Sequence, residues 1–368
     1  MIRPGIRRLL PVLPRVRGAH QGVCRPCAPV LDGWCVPRNT GEQTRSRIGA
    51  NERSAVGELP RDRGAGVAGQ PGMARIPCYP DAAAMKNTAV LLLSCPDRKG
   101  LVAAIANFLL AHGANILHAD QHQDAELGLF LMRVEWDLRG FALPVTDFSA
   151  EFAPIAQANQ MVWRLAESAH KPRMAIFVSR FDHCLADLLY RFRSEELHCE
   201  IPVIISNHEH ARRLADAYGI PFRHIEISSE SRHDAEKLQL AVLSEADVDF
   251  IVLARYMQIL SAQFTVRYPQ RIINIHHSFL PAFHGARPYH RAFERGVKLI
   301  GVTSHYVTDM LDEGPIIEQD VVRISHRDSL EDLIRKGADL EKIVLSRAVR
   351  WHLDNRVLVY ANRTVVFD

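Results

Sequence analysis

Met174-Ala175-Ile176-Phe177-Val178-Ser179-Arg180-Phe181-Asp182-His183-Cys184-Leu185-Ala186-Asp187-Leu188-Leu189 reads as a strand, a loop and the start of a helix. The run from Met174 to Val178 is apolar without alternation, which fits a strand buried on both faces. Cys184, Leu185, Leu188 and Leu189 then recur at helical spacing and predict a helix over His183–Phe192. The same unit repeats downstream. Ile201–Asn207 reads as a strand and Ala211–Tyr218 as a helix closed by Gly219. Phe222–Ile227 is a strand, Ala235–Ala246 a helix and Val248–Ala254 a strand. Such alternation predicts an α/β domain over 172–368, with an open, mainly parallel sheet and helices on both faces. In sheets of that kind ligands sit beyond the carboxyl ends of the strands, so the loops after strands are where chemistry is expected.

Upstream, residues 86–168 follow a different pattern. Thr88–Cys95 is an apolar strand, Pro96–Gly100 a turn, and Leu101–His112 a helix with Leu101, Ile105, Phe108 and Leu109 on one face. Gly113 stands where a left-handed helix terminus belongs. Strands over Asn115–Gln123 and Leu127–Trp136 and an amphipathic segment over Phe148–Ala166 complete a βαββα order, a two-layer α+β sandwich.

Residues 1–84 have neither pattern. The first 80 positions hold 13 Arg, no Lys and 5 acidic residues, and 21 of them are Gly or Pro. That composition predicts a disordered extension upstream of a start at Met85. A transit peptide is the rival reading, since the first 31 residues carry several Arg and no acid, although they also lack Ser. Gly64-Ala65-Gly66-Val67-Ala68-Gly69 matches a dinucleotide fingerprint without the strand and helix that give it a mechanism. Cys24 and Cys27 have metal-ligand spacing but no second pair. With the extension set apart, the rest of the chain is mildly acidic, so its overall charge of +3 does not argue for nucleic acid. No apolar run approaches bilayer length, and seven cysteines in 368 residues do not make a disulfide scaffold.

The loop after the predicted strand Arg271–Ile275 is rich in chemistry: Asn274-Ile275-His276-His277-Ser278-Phe279-Leu280-Pro281-Ala282-Phe283-His284-Gly285-Ala286. Asn274 and His276 are two apart on a strand and share a face. An amide donor beside an imidazole suits a carbonyl oxygen that becomes negative. Val302–Val307 reads as a further strand, followed by an acidic turn, Asp309–Pro315, from which Asp312 could reach back to His276 and fix its ring. Spacing alone favours plain loop residues over a site. A zinc site among His276, His277, His284 and His290 lacks a helical His-Glu-x-x-His set. No Gly-x-Ser-x-Gly elbow occurs, and Cys184 and Cys199 have no evident base.

Asn274-x-His276, Leu280-Pro281, Gly285, Gly301-Val302-Thr303 and Asp312-x-Gly314 resemble the signature of the formyltetrahydrofolate-dependent transferases. Leu253-Ala254-Arg255-Tyr256-Met257-Gln258-Ile259-Leu260-Ser261 resembles their pterin-binding segment. Asp97-Arg98-Lys99-Gly100-Leu101-Val102 resembles the turn of an ACT domain, which implies a βαββαβ fold, side-by-side pairing and an amino-acid effector near Asp97, Gly100 and Leu101. The transferases carry a Gly-rich loop after their first strand to hold the phosphate of an amine substrate. The loop from Ser179 to Asp182 has no glycine, and His277 stands where the transferases have Pro. These departures, with the ACT-like segment, are similar to the formyltetrahydrofolate deformylases.

That resemblance implies a Rossmann-like formyltransferase domain that hydrolyses 10-formyltetrahydrofolate to formate and tetrahydrofolate, supplying formate for purine biosynthesis and balancing one-carbon pools. It implies Asn274, His276 and Asp312 as catalytic residues. Tyr256, Gln258, Ile259, Leu260, His277, Gly285 and Thr308 would bind substrate. It further implies no metal or cofactor, a methionine or glycine effector, no nucleic-acid or membrane partner, a cytoplasmic location and a homo-oligomer. A transferase passing the formyl group to an amine, or an idle amino-acid sensor, are the alternatives.

Overall fold

The computed structural model describes residues 87–228, 230–282 and 287–368. The expected extension 1–84, Met85 and Gly285 lie outside them. The described chain opens with β1 (Thr88–Pro96), α1 (Leu101–Ala111), β2 (Asn115–Asp124), β3 (Leu129–Asp137), α2 (Val145–Ala158) and β4 (Val162–Glu167). These strands form one antiparallel sheet in the order β2-β3-β1-β4. The single amphipathic segment expected over 148–166 is two elements. Asn159 ends α2, Gln160 takes a left-handed φ of 53°, and the chain returns as β4 against β1. The order is therefore βαββαβ. One face of the sheet is covered by α1 and α2, with Trp136, Phe148 and Phe152 fully buried between the layers. Each such side chain contributes roughly 1.5–3 kcal/mol by leaving water.

The second sheet is built from β5 (Arg173–Val178), α3 (His183–Arg193), β6 (Glu200–Ser206), α4 (Arg212–Ala217), β7 (Phe222–His224), α5 (Arg232–Glu245), β8 (Phe250–Ala254), α6 (Ala262–Thr265) and β9 (Ile272–His276). Beyond these come α7 (Pro288–Arg295), β10 (Leu299–Tyr306), β11 (Ile316–Arg323), the long α8 (Leu330–Leu353) and a hairpin of β12 (Val357–Tyr360) and β13 (Arg363–Val366). Strand order is β11-β10-β9-β8-β5-β6-β7. The β7-β6-β5-β8-β9 run is parallel, whereas β10 and β11 are antiparallel additions. The chain runs outward from β5 through β6 to β7, then returns to β8 on the other side of β5. The crevice between the ends of β5 and β8 is thus the switch point of the sheet.

Apolar side chains fill both faces, with α3 and α8 on one and α5 on the other. Helix α8 starts at a capping box in which Ser329 accepts from the Asp332 amide and the Asp332 carboxylate accepts from the Ser329 amide. Among the described residues no helix is long and apolar enough to cross a membrane.

The two sheets are tied together at the end of α8. Leu358 and Phe367 of the hairpin pack on Val90, Leu92 and Leu131 of the small sheet. Beside them the buried Arg133 pairs with Glu135 at 2.8 Å and donates to the Asn355 carbonyl at 3.0 Å. Arg133→Leu removes a cation from a buried carboxylate and a donor from a helix end. It is expected to destabilise the chain by about 3–5 kcal/mol, read from urea denaturation. A loss near zero would show that the pair is dispensable.

Candidate active site

The antiparallel step from β9 to β10 assembles the polar groups. In that ladder Asn274 lies opposite His305, and His276 opposite Thr303. His305 is buried and its Nδ1–H donates to the Tyr306 carbonyl at 3.0 Å, which leaves Nε2 as the acceptor for the Asn274 amide at 3.2 Å. One Asn274 hydrogen is thereby held and the other is free to point outward. Burial pushes His305 below the usual imidazole range, outweighing the Tyr306 carbonyl and Asp312, so it stays neutral and keeps accepting.

Thr303, fully buried, pins the loop after β9. Its hydroxyl donates to the Ser278 carbonyl at 2.9 Å and accepts from the Leu280 amide at 3.0 Å. The turn after β10 carries Asp312 in the left-handed region, at a φ of 58°. A Cβ on Gly314 would stand 1.8 Å from the Tyr306 carbonyl oxygen, so only glycine lets the turn lie this close to β10. The result is that Asp312 Oδ1 stands 3.3 Å from His276 Nδ1 and 3.8 Å from His305 Nε2. Burial raises the Asp312 carboxyl, but the hydrogen bond and charge of His276, with His305 and His277 behind, outweigh it and hold it low. His276 is 6% exposed, and its Nε2 is buried without a hydrogen-bond partner. A buried orphan nitrogen at a strand end, beside a half-committed amide and an ionised carboxylate, is a site built for an absent polar atom.

His277 is half-buried, its ring 5.2 Å from that of His276. Burial first, then the Arg255 and His276 charges, pull it down to about 4, so it is neutral. The loop after β8 holds the expected pterin-binding segment. Tyr256 is buried with Phe177 in the core and its hydroxyl accepts from Gln239 at 2.8 Å; Leu260 is buried in the same cluster. Gln258 is half-buried and Ile259 exposed. From this loop, the backbone and the side chains of Met257, Gln258 and Ile259 are what remains to meet a ligand. Thr308 is half-buried and its hydroxyl donates to the Met310 carbonyl at 3.1 Å, shaping the Asp312 turn. Asp97, Gly100 and Leu101 line a separate cavity of about 710 Å³ in the small sheet's layer, with Arg98, Gln121 and Gln123 around it.

Sequence reading missed His305, which is legible only once β10 is known to pair with β9. It also missed a second cluster at the switch point, made by His183, Arg255, Tyr289 and Glu341. Among the described residues, His183, Cys184 and Glu341 are of metal-ligating type and place ligand atoms within 4.8 Å of one another. The Arg255 guanidinium, 3.4 Å from the Glu341 carboxylate, already supplies the cation there, and burial pushes the Cys184 thiol well up, away from the thiolate a metal needs.

Residues 172–349 match the family model of the formyl transferases, and residues 89–136 that of the ACT domain. The fold and site are thus those of a formyl transferase domain carrying an ACT domain. The chain is 56% identical to a formyltetrahydrofolate deformylase of Synechocystis over 280 residues, 76% of this chain and 98% of that one. To the Bacillus subtilis enzyme of the same name it is 52% identical, covering 76% and 93%. A formyltetrahydrofolate deformylase crystal structure from Pseudomonas syringae superposes with a TM-score of 0.75 at 48% identity, covering 77% of this chain and 95% of that one. A glycinamide ribonucleotide transformylase from Symbiobacterium toebii reaches 0.53 at 30% identity, covering 56% and 98%. The chain belongs to the formyltetrahydrofolate deformylase family.

His305→Phe keeps the strand but frees the Asn274 amide, and is expected to lower kcat by roughly ten- to a hundredfold through misplacement alone. A buried neutral His contributes stability that is full above its unfolded pKa of 6.5 and is lost as pH falls toward the depressed folded value. The same variant should therefore lose less melting temperature than wild type between neutral and acid pH. An unchanged kcat together with an unchanged acid slope would remove His305 from the site.

Proposed function

We propose that the chain hydrolyses 10-formyltetrahydrofolate to formate and tetrahydrofolate, with Asn274, His276 and Asp312 as the catalytic set. The observation that carries this reading is the buried, partnerless His276 Nε2 backed by the Asp312 carboxylate at 3.3 Å, beside Asn274. Water adds to the formyl carbon, its proton passing toward Asp312, held ionised by its imidazole neighbours. The free Asn274 hydrogen donates to the formyl oxygen as it becomes negative. Paired to Asp312, His276 carries its second N–H at Nε2 when protonated, either bracing the same oxyanion or giving the proton to the folate nitrogen as the C–N bond breaks. Backbone groups of Gln258, Ile259 and Leu260 would hold the pterin, with the Thr308–Asp312 turn opposite. No metal or cofactor is assigned a step. The formate would serve purine biosynthesis and balance one-carbon pools.

We assign catalysis to 172–368 and regulation to 86–168, with methionine or glycine bound in the cavity at Asp97, Gly100 and Leu101. Strand β2 is an exposed sheet edge, suited to pairing with a second copy.

Asp312→Asn and His276→Ala should each lower kcat by about 10²–10⁴-fold while changing the folate KM little, because their contacts form with charge that develops in the transition state. The assay is formate release with no amine present. A variant hydrolysing at the wild-type rate would overturn the assignment, and formyl consumption only with an amine would favour the transferase alternative.

For the cavity, titration of methionine and glycine at sub-saturating folate should shift the rate by a factor corresponding to about 1–3 kcal/mol of coupling. Gly100 has a φ of 91°, which Val adopts only with strain, so Gly100→Val should abolish the response. A response that survives in the variant would put the effector elsewhere.

A further inference from the structure

A formyl transferase fold presents one carbonyl carbon to whichever nucleophile can reach it. The Symbiobacterium relative, whose fold this domain shares, is named for an amine acceptor. If the function proposed above holds, something in this chain must leave water as the acceptor. The switch point between the ends of β5 and β8 is where such sheets take ligands, yet here it is filled by the chain's own side chains.

Four elements converge there. Glu341 of α8, 1% exposed, accepts from Tyr289 of α7 at 2.7 Å and pairs with His183 at the start of α3, also at 2.7 Å. Arg255, in the loop directly after β8, closes the cluster at 3.4 Å from the Glu341 carboxylate, with its guanidinium over the exposed Phe181 ring. Burial alone would raise the Glu341 carboxyl, but His183, Arg255 and Tyr289 hold it low, so it is ionised. Arg255 itself is 9% exposed, sits at a φ of 62°, and has both a buried Nε and a buried Nη1 without a hydrogen-bond partner, its tie to Glu341 being one of charge. A bulky cation at a left-handed position, incompletely paired, costs stability and persists only where its surroundings force it. The surroundings do so visibly: a Cβ on Gly337 would fall 2.2 Å from the Tyr289 ring, so α8 is cut away to seat that ring against Glu341. The cluster borders the catalytic groups, for the His277 ring lies 6.1 Å from that of Tyr289 and 5.2 Å from that of His276.

We propose that Arg255, locked by Glu341, is the specificity-determining residue that excludes amines from the acceptor side of the formyl group. It fills the crevice a second substrate would need. Water is small, and passes.

The test is a partition. The full chain is given 10-formyltetrahydrofolate with glycinamide as the primary-amine probe, and formate and N-formylglycinamide are counted per formyl group consumed. Transfer to the probe means that its nitrogen bonds to the formyl carbon, the bond to the folate nitrogen breaks, and a proton moves from amine to folate. Wild type should yield formate alone. Arg255→Gly, which suits the backbone and opens the crevice, and Glu341→Gln, which keeps the volume but releases Arg255, should each raise the formylated-amine fraction at least about tenfold. Because a ratio is read, a slower variant is still informative. Tyr289→Phe removes only one hydrogen bond to Glu341 and decides the matter should the other two fail to fold; it should give a smaller rise. Folded variants whose fraction stays at the wild-type level overturn the proposal, as does a wild type that formylates glycinamide freely. A wild type that releases no formate refutes instead the hydrolase reading beneath it.

Discussion

Much of this protein's chemistry depends on one reversal of strand direction. The parallel sheet ends at β9, and β10 comes back antiparallel, setting Asn274 opposite His305 and His276 opposite Thr303. In an antiparallel pair, residues facing each other stand close enough for side chains to bond directly. A parallel neighbour at the same edge would have put its own carboxyl end beside β9 and sent its following loop in the same direction. The antiparallel strand instead ends beside the start of β9, where the Val307 amide donates to the Ile272 carbonyl, and the turn that follows places Asp312 against His276. Gly314 sets how close that turn lies, and Thr303 holds the other loop still. Asn274 and His276 share β9, and Asp312 joins them from the turn after β10.

The two clusters beyond the strand ends differ in how their central groups are satisfied. Around His276, polar capacity is left over: an orphan Nε2 and an amide with one hydrogen in use. Around Glu341 the carboxylate is spent, with His183, Tyr289 and Arg255 all turned to it. Breaking such a buried set leaves an uncompensated charge, so the second cluster is held together far more firmly than its shape alone requires. His277 lies between them and feels both: burial first, then Arg255 and His276, keep it neutral, while Glu341 and Asp312 pull the other way and lose.

What the sequence disclosed and what it hid divide along the same lines of distance. Strands β5, β6, β8 and β9 are short apolar runs whose burial is written in consecutive residues, and Asn274 and His276 share a face by their spacing alone. Asp312 was within reach because the turn that carries it is acidic and follows a strand directly. The segment over 148–166 read as one amphipathic piece because Phe148, Phe152 and Trp163 all bury into the same layer; the break at Asn159–Gln160 depends on a left-handed residue that is not glycine. His305 gave no signal, since its role exists only through a register linking positions 31 apart. Glu341 is 158 residues from His183, in the middle of a helix whose pattern marks it as one more buried position.

Helix α8 connects these observations. Twenty-four residues span roughly 36 Å at 1.5 Å per residue, long enough to serve both ends of the molecule. Its buried face packs on the sheet beneath, its middle supplies Glu341 to the switch point, and Gly337 admits Tyr289 one turn earlier. At its far end the Asp354 and Asn355 carbonyls are taken by Arg133 of the small sheet, where the hairpin that follows also packs. A helix end bound in this way cannot shift without breaking a buried ion-pair network at one end or a second at its centre. The small sheet therefore does not hang from the catalytic sheet on a linker. It is bolted to the helix that carries the carboxylate of the acceptor side, and any rearrangement of one has to be accommodated by the other.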